Sequence, residues 1–247
     1  MENQDEDSKL LKTMQNLELD SESVSIKIDK DDVQLWKDFL EYRKNRKEWD
    51  AWRNKDWKEH HPPHTHTIFN DFPVLTTDRL QLRLLRENDV EDAFRVLSNP
   101  TAMKYFGTRA HKDLRYTKEQ YIEIMLSRHK MRDAIPWTIT LKGEDKYIGH
   151  ISATQFDKLF KFVEIAYIVD PAYWGRGIAT EAVARAVRFL VEELKIHKIR
   201  ASLFVNNMAS RRVLDKVGFV QEGYLLDNAF IEGEFEDEYV MAFIAED

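Results

Sequence analysis

The passage from the apolar run Phe162–Val169 to the helical pattern at 180–194 constrains this chain most. It carries the sequence Asp170-Pro171-Ala172-Tyr173-Trp174-Gly175-Arg176-Gly177-Ile178-Ala179-Thr180-Glu181 between them. A short, mostly apolar segment bounded by turn residues reads as a buried strand, and Ala182, Val183, Ala186, Val187, Leu190, Val191 and Leu194 recur at helical spacing. Gly175 and Gly177 let the backbone turn sharply and bring its amides close to a ligand. The helix that follows aims its positive dipole end at the same point, so the pattern predicts a cradle for a pyrophosphate. Taken alone, the glycine pair fits a structural turn better than a phosphate cradle.

Strands and helices alternate on both sides of this passage. Strands are expected at 80–85, 137–141, 147–156, 199–204, 219–226 and 236–243, and helices at 89–97 and 208–217. Thr117-Lys118-Glu119-Gln120 has capping-box spacing and predicts a further helix start. The region before residue 75 differs. Residues 1–30 form an acidic, polar tail too poor in large apolar residues to build a core and are expected to be disordered. Residues 31–59 hold four of the six tryptophans at spacings that fit one or two helices, and residues 60–74 read as a proline- and histidine-rich linker. His60, His61, His64 and His66 invite a metal reading, but the flanking prolines favour a polar linker, and no metal is expected. Arg43-Lys44-Asn45-Arg46-Lys47 fits a solvated helix face better than an RNA contact.

The 247 residues carry a net charge of -7, which argues against wholesale binding of nucleic acid and favours cationic or amine ligands. The chain has no cysteine, which removes disulfides, thiol nucleophiles and thiolate metal sites. No apolar run approaches the ~18 residues of a membrane span, and no secretory signal opens the sequence, so a cytoplasmic protein is expected.

Three motifs in order carry a family resemblance. They are Leu75-Thr76-Thr77-Asp78-Arg79-Leu80, then residues 173–182 with the glycine pair, then Asn207-Met208-Ala209-Ser210 leading to Gly218-Phe219. Residues 75–247 resemble the GCN5-related N-acetyltransferase (GNAT) superfamily, in particular its ribosomal-protein N-terminal acetyltransferase-like branch. The resemblance implies an α/β (α+β) fold, with a mixed, partly splayed sheet flanked by helices, preceded here by the helical extension. It implies acetyl-coenzyme A as co-substrate, with Trp174, Gly175, Arg176, Gly177, Ile178, Ala179 and Thr180 around its pyrophosphate. Tyr167, Ile168 and Val169 would pair through their backbones with the pantetheine arm, and Asn207 and Ser210 would lie near the coenzyme A and its sulfur. The Arg176 side chain has two readings, on the phosphates or in solvent.

The implied reaction is acetyl transfer from a thioester to an amine by direct attack. Glu164 is the expected general base because it is the only carboxylate in the strand that leads into the loop, and its alternative role is as partner to a basic residue. A bulge in that strand would redirect it. Asp227 and Asp237 are the next candidates. Ser210 is the expected hydrogen-bond donor to the leaving thiolate, since Leu214 stands where many relatives place a tyrosine. Asn207 and Ser210 are also good helix caps. The expected acceptor is a protein N-terminal amine; a polyamine, amino sugar or amine antibiotic is the alternative, and a non-catalytic acyl-coenzyme A sensor is a third reading. No membrane and no sequence-specific nucleic acid partner is expected, and a homodimer is compatible with the Trp-rich extension.

Overall fold

The computed structural model describes residues 69, 71–157, 161–231 and 233–245. The acidic tail, the Trp-rich segment and most of the linker therefore lie outside the described residues. Eight strands form one sheet in the order β1-β2-β3-β4-β5-β6-β8-β7: β1 Leu75–Thr76, β2 Leu80–Leu84, β3 Ala134–Leu141, β4 Gly149–Asp157, β5 Phe162–Val169, β6 Lys198–Phe204, β7 Val220–Ile231 and β8 Glu234–Ile244. All pairs are antiparallel except β5 with β6. The sheet is mixed, as expected.

Alternation along the strands feeds two cores. On one face Trp137, Ile139, Ile165 and Val169 pack with Ile178, Val183, Phe189 and Leu190 of α5 (Ile178–Glu192) and Leu214 of α6 (Met208–Val217). On the other, Leu85, Tyr147 and Ile168 pack with Ala93, Val96 and Leu97 of α1 (Val90–Leu97) and with Met103, at the end of α2 (Pro100–Met103), and Tyr121 and Ile122. Among the described residues no helix is long and apolar enough to cross a membrane.

The second helical region departs from the capping-box reading. Asp113 caps α3 (Leu114–Thr117), accepting from the Tyr116 amide at 2.7 Å, and Thr117 sits inside the helix with its hydroxyl hydrogen-bonded at 2.8 Å to the His111 ring. A π-helical turn, Lys118–Ile122, then leads into α4 (Glu123–Lys130). The Thr-x-x-Gln spacing is present, but Asp113 takes the cap one turn earlier. The bulge that would have redirected Glu164 falls on the neighbouring strand, β4, instead of on β5. The ladder between β4 and β5 slips at Thr154 to Asp157, on β4, where Gln155 has φ 53°.

β4 begins with a tight constraint. A Cβ on Gly149 would lie 2.3 Å from the Ile168 carbonyl oxygen, so only glycine lets β4 cross the end of β5 at this distance. The next residue, His150, is buried, shares a 2.6 Å hydrogen bond with the Tyr147 hydroxyl and stacks on Tyr121 with ring centroids 4.7 Å apart. Burial, with a smaller effect of His111, pushes its pKa down to about 3. The folded pKa lies below the unfolded ~6.5, so His150 contributes stability above pH 6.5 that is lost as pH falls toward 3. Urea unfolding of His150→Gln is expected to lose about 2 kcal/mol less between pH 7 and pH 5 than the parent chain.

Candidate functional site

The β5–β6 ladder stops early. Phe162, Val163 and Glu164 pair with Lys198, Ile199 and Arg200, and no further pair follows. Beyond that point β5 stays laddered to β4 up to Val169, while β6 follows β8. Two neighbouring parallel strands held by different partners diverge, and a cavity of about 610 Å³ opens between them. Its walls are residues 165–169 of β5, the glycine loop, the start of α5, residues 201–203 of β6 and the start of α6.

The loop is fastened at its strand end by Asp170, whose carboxylate accepts from the Ala172 amide at 2.9 Å and pairs with Arg95 of α1. Arg95 also donates to the Tyr147 carbonyl at 3.1 Å. The Trp174 indole N–H donates to the Val169 carbonyl at 2.6 Å, folding the loop back on the strand, yet Trp174 remains 48% exposed and lines the cavity. Gly175 and Gly177 adopt φ 72° and 76°, left-handed conformations that a side chain would strain. A Cβ at Gly175 would meet no atom within 4 Å, so its backbone is open to a ligand. Gly177 caps α5, whose first-turn amides at Ile178, Ala179 and Thr180 belong to the orphan donors of a helix N-terminus and border the cavity. Donors on two successive left-handed turns at a helix start can hold an anion.

Most of the expected residues converge here. Tyr167, Ile168, Val169, Trp174, Gly175, Gly177, Ile178, Ala179, Thr180, Asn207 and Ser210 all line the cavity. Arg176 does not: its guanidinium lies 5.3 Å from the Tyr173 ring centroid, outside the lining. Asn207 is a helix cap too, its Oδ1 accepting from the Ser210 amide at 3.1 Å. The Ser210 carbonyl accepts from the Tyr167 hydroxyl at 3.2 Å, and burial, only partly opposed by that bond, pushes the Tyr167 phenol up to about 12.

Glu164 is not brought into the cavity. It stands at the last rung of the β5–β6 ladder and faces Arg200 Nη2 at 3.4 Å, the partner role that its position allowed. Asp237 is occupied by the Tyr224 hydroxyl and, at 2.8 Å, by the Asp227 amide; these two bonds outweigh burial and hold its pKa below the usual value. Asp227 has φ 48° at the β7 irregularity, so the pair shapes a bend and does not line the cavity.

Sequence reasoning missed the far wall. Thr101, in α2, and Lys104, Tyr105 and Phe106, just beyond it, line the cavity, and Lys104 and Tyr105 also line a second one of about 310 Å³ with Phe204, Ile231, Glu234 and Glu236. The segment after α2 has no periodicity to read. The Glu234-Phe235-Glu236-Asp237-Glu238 alternation was visible, and strand parity would have placed the three glutamates on one face.

Asn207→Ala is expected to lose about 1 kcal/mol of stability in urea unfolding through the lost cap, whereas Asn207→Asp should stay within about 0.5 kcal/mol of the parent.

Comparison with known proteins places this geometry in a family. Residues 79–220 match the acetyltransferase (GNAT) domain. An uncharacterized N-acetyltransferase, YoaA of Bacillus subtilis, is 29% identical over 173 residues, spanning 70% of this chain and 97% of the relative. The [ribosomal protein uS5]-alanine N-acetyltransferase of Escherichia coli is 26% identical over 70% of this chain and 91% of its own. The spermidine N(1)-acetyltransferase of Vibrio cholerae is 24% identical over 64% and 89% respectively. The crystal structure of a GNAT-family acetyltransferase from Bacillus anthracis superposes with a TM-score of 0.62 at 26% identity, covering 70% of this chain and 98% of that one. The chain belongs to the GNAT acetyltransferase family and is an acetyl-coenzyme A-dependent N-acetyltransferase.

Proposed function

We propose that the chain acetylates the N-terminal amine of a polypeptide. In this reading the pyrophosphate of acetyl-coenzyme A rests on the backbone of Gly175, Gly177, Ile178, Ala179 and Thr180. The pantetheine arm extends along the unladdered edge of residues 167–169, and the thioester reaches the start of α6. The observation that carries the acceptor side is the second cavity, which shares Lys104 and Tyr105 with the first and is walled by the tip of the β7–β8 hairpin. An acceptor entering there approaches the donor from the opposite side. The hairpin exposes Leu226, Phe230 and Phe235, apolar surface that suits a polypeptide following its N-terminus into the site.

Chemistry favours an α-amine. With a pKa of ~7.8 it is roughly 14% neutral at pH 7, against about 0.04% for a lysine side chain, so solvent can take the proton without a dedicated base. Glu164, tied to Arg200 outside the cavity, is not required in this scheme. The neutral nitrogen attacks the thioester carbonyl, the C–S bond breaks with its electron pair on sulfur, and the amine proton leaves to water. Hydrogen bonding from Ser210 and the positive end of α6 stabilise the thiolate until it is protonated.

A polyamine acceptor is the second reading. The Glu234 and Glu236 carboxylates carry no hydrogen bond or ion pair among the described residues and both line the second cavity, where they would attract a cation. The assay is coenzyme A release with product mass, using alanine- and serine-started peptides, spermidine, amino sugars and internal-lysine peptides. Acetylation of peptide N-termini is expected; turnover confined to spermidine replaces the leading reading, and donor binding without any product rejects both. Under either acceptor, Glu234→Gln with Glu236→Gln is expected to raise the amine KM by about tenfold at low salt and to leave the acetyl-coenzyme A KM within twofold.

A further inference from the structure

The Thr77-Asp78-Arg79 segment that enters β2 takes no part in the cavity wall, yet it is bonded to the glycine loop about a hundred residues away. Thr77 Oγ1 donates to Glu181 Oε1 at 2.5 Å, and the Arg79 amide donates to the same oxygen at 3.2 Å. Arg79 Nε donates to Glu181 Oε2 at 2.6 Å, and Arg79 Nη1 donates to the Arg176 carbonyl at 2.8 Å. Thr77 is itself fixed, accepting from the Leu80 amide at 2.8 Å. Burial raises the Glu181 pKa, but the bonds from Thr77 and Arg79 outweigh it and hold the carboxyl below its ordinary value, so Glu181 is ionised at neutral pH.

An ion pair as exposed as this one, with Arg79 49% and Glu181 20% accessible, adds little to global stability. Its geometric effect is larger. The peptide unit between Arg176 and Gly177 is planar and trans, so its C=O and N–H point in opposite directions. Arg79 holds the Arg176 oxygen on the β2 side and thereby aims the Gly177 N–H the other way. Gly177 lines the cavity, and the φ 76° turn alone would leave a glycine free to rotate. Arg79 also neutralises Glu181, a carboxylate in the first turn of α5 that would otherwise stand close to bound phosphate.

We propose that Thr77, Arg79 and Glu181 form a positioning clasp that holds the Arg176–Gly177 peptide with its N–H toward the donor's phosphates, so that the cradle is preorganised before acetyl-coenzyme A arrives. The clasp rests on the reading that this loop takes the pyrophosphate. None of the three residues touches the donor; they act through the backbone of Arg176 and Gly177 and through the charge at the start of α5.

Calorimetric titration of the full-length chain with coenzyme A, well below the melting temperature, tests it. Arg79→Gln and Glu181→Gln are each expected to weaken binding about tenfold, and the double variant to fall within threefold of the weaker single, because the clasp acts as one unit. Ile139→Val, a core change away from the cavity, should lower the melting temperature without moving the Kd, which separates positioning from mere stability. Gly177→Ala should weaken binding at least as much as either clasp variant. If Gly177→Ala leaves the Kd within twofold, the cradle reading fails and the clasp with it. If Gly177→Ala weakens binding but Arg79→Gln does not, or if Ile139→Val shifts the Kd as much as the clasp variants, the clasp alone is overturned.

Discussion

Everything in the site depends on one strand having two different neighbours along its length. β5 is laddered to β6 only through Glu164 and Arg200, then keeps β4 and loses β6, which is bound to β8 along its whole length. Backbone groups on the open edge of β5 cannot be left dry without cost, so the gap is stable only because it is a cavity reached by solvent or filled by a ligand with its own amides and carbonyls. One of those groups is satisfied internally, the Val169 carbonyl by the Trp174 indole. The opening is thus built into the register of the sheet and needs no moving part.

Around the opening the chain restricts its most mobile segment. Residues 170–181 include two glycines with positive φ, and backbone freedom there would have to be surrendered on each binding event. Arg95 holds Asp170 at the strand end and Arg79 holds Arg176 and Glu181 at the helix end, each reaching in from the first third of the described sequence. Gly149 lets β4 lie against Ile168 closely enough to keep the end of β5 in place. In the proposed donor site the contacts come mostly from backbone, and Trp174 leaves them open: its ring lines the cavity and its N–H turns back to the strand.

Much of this was legible from residue pattern. The run Phe162–Val169, the glycine pair and the apolar stripe of α5 had the periodicities of strand, turn and helix, and Met208–Val217 matched the structure residue for residue. The capping box at Thr117 misled because Asp113, a better cap, lay one turn earlier, and local spacing does not rank competing caps. Glu164 was singled out for being the only carboxylate in its strand, but one-dimensional order does not reveal where a parallel ladder ends. The placement of Lys104 and Tyr105 beside Glu234 and Glu236 is a tertiary event between distant irregular segments, and no local signal carries it.

The central claim is that the donor fills the gap between β5 and β6 and lies on the glycine loop. Hydrogen–deuterium exchange by mass spectrometry, with and without saturating acetyl-coenzyme A, tests it most directly. Peptides covering residues 165–169 and 175–180 are predicted to exchange more slowly with the donor bound, while residues 162–164, already paired with β6, stay unchanged. Unchanged exchange at 165–169 and 175–180, with new protection confined to the β7–β8 hairpin, would contradict the account.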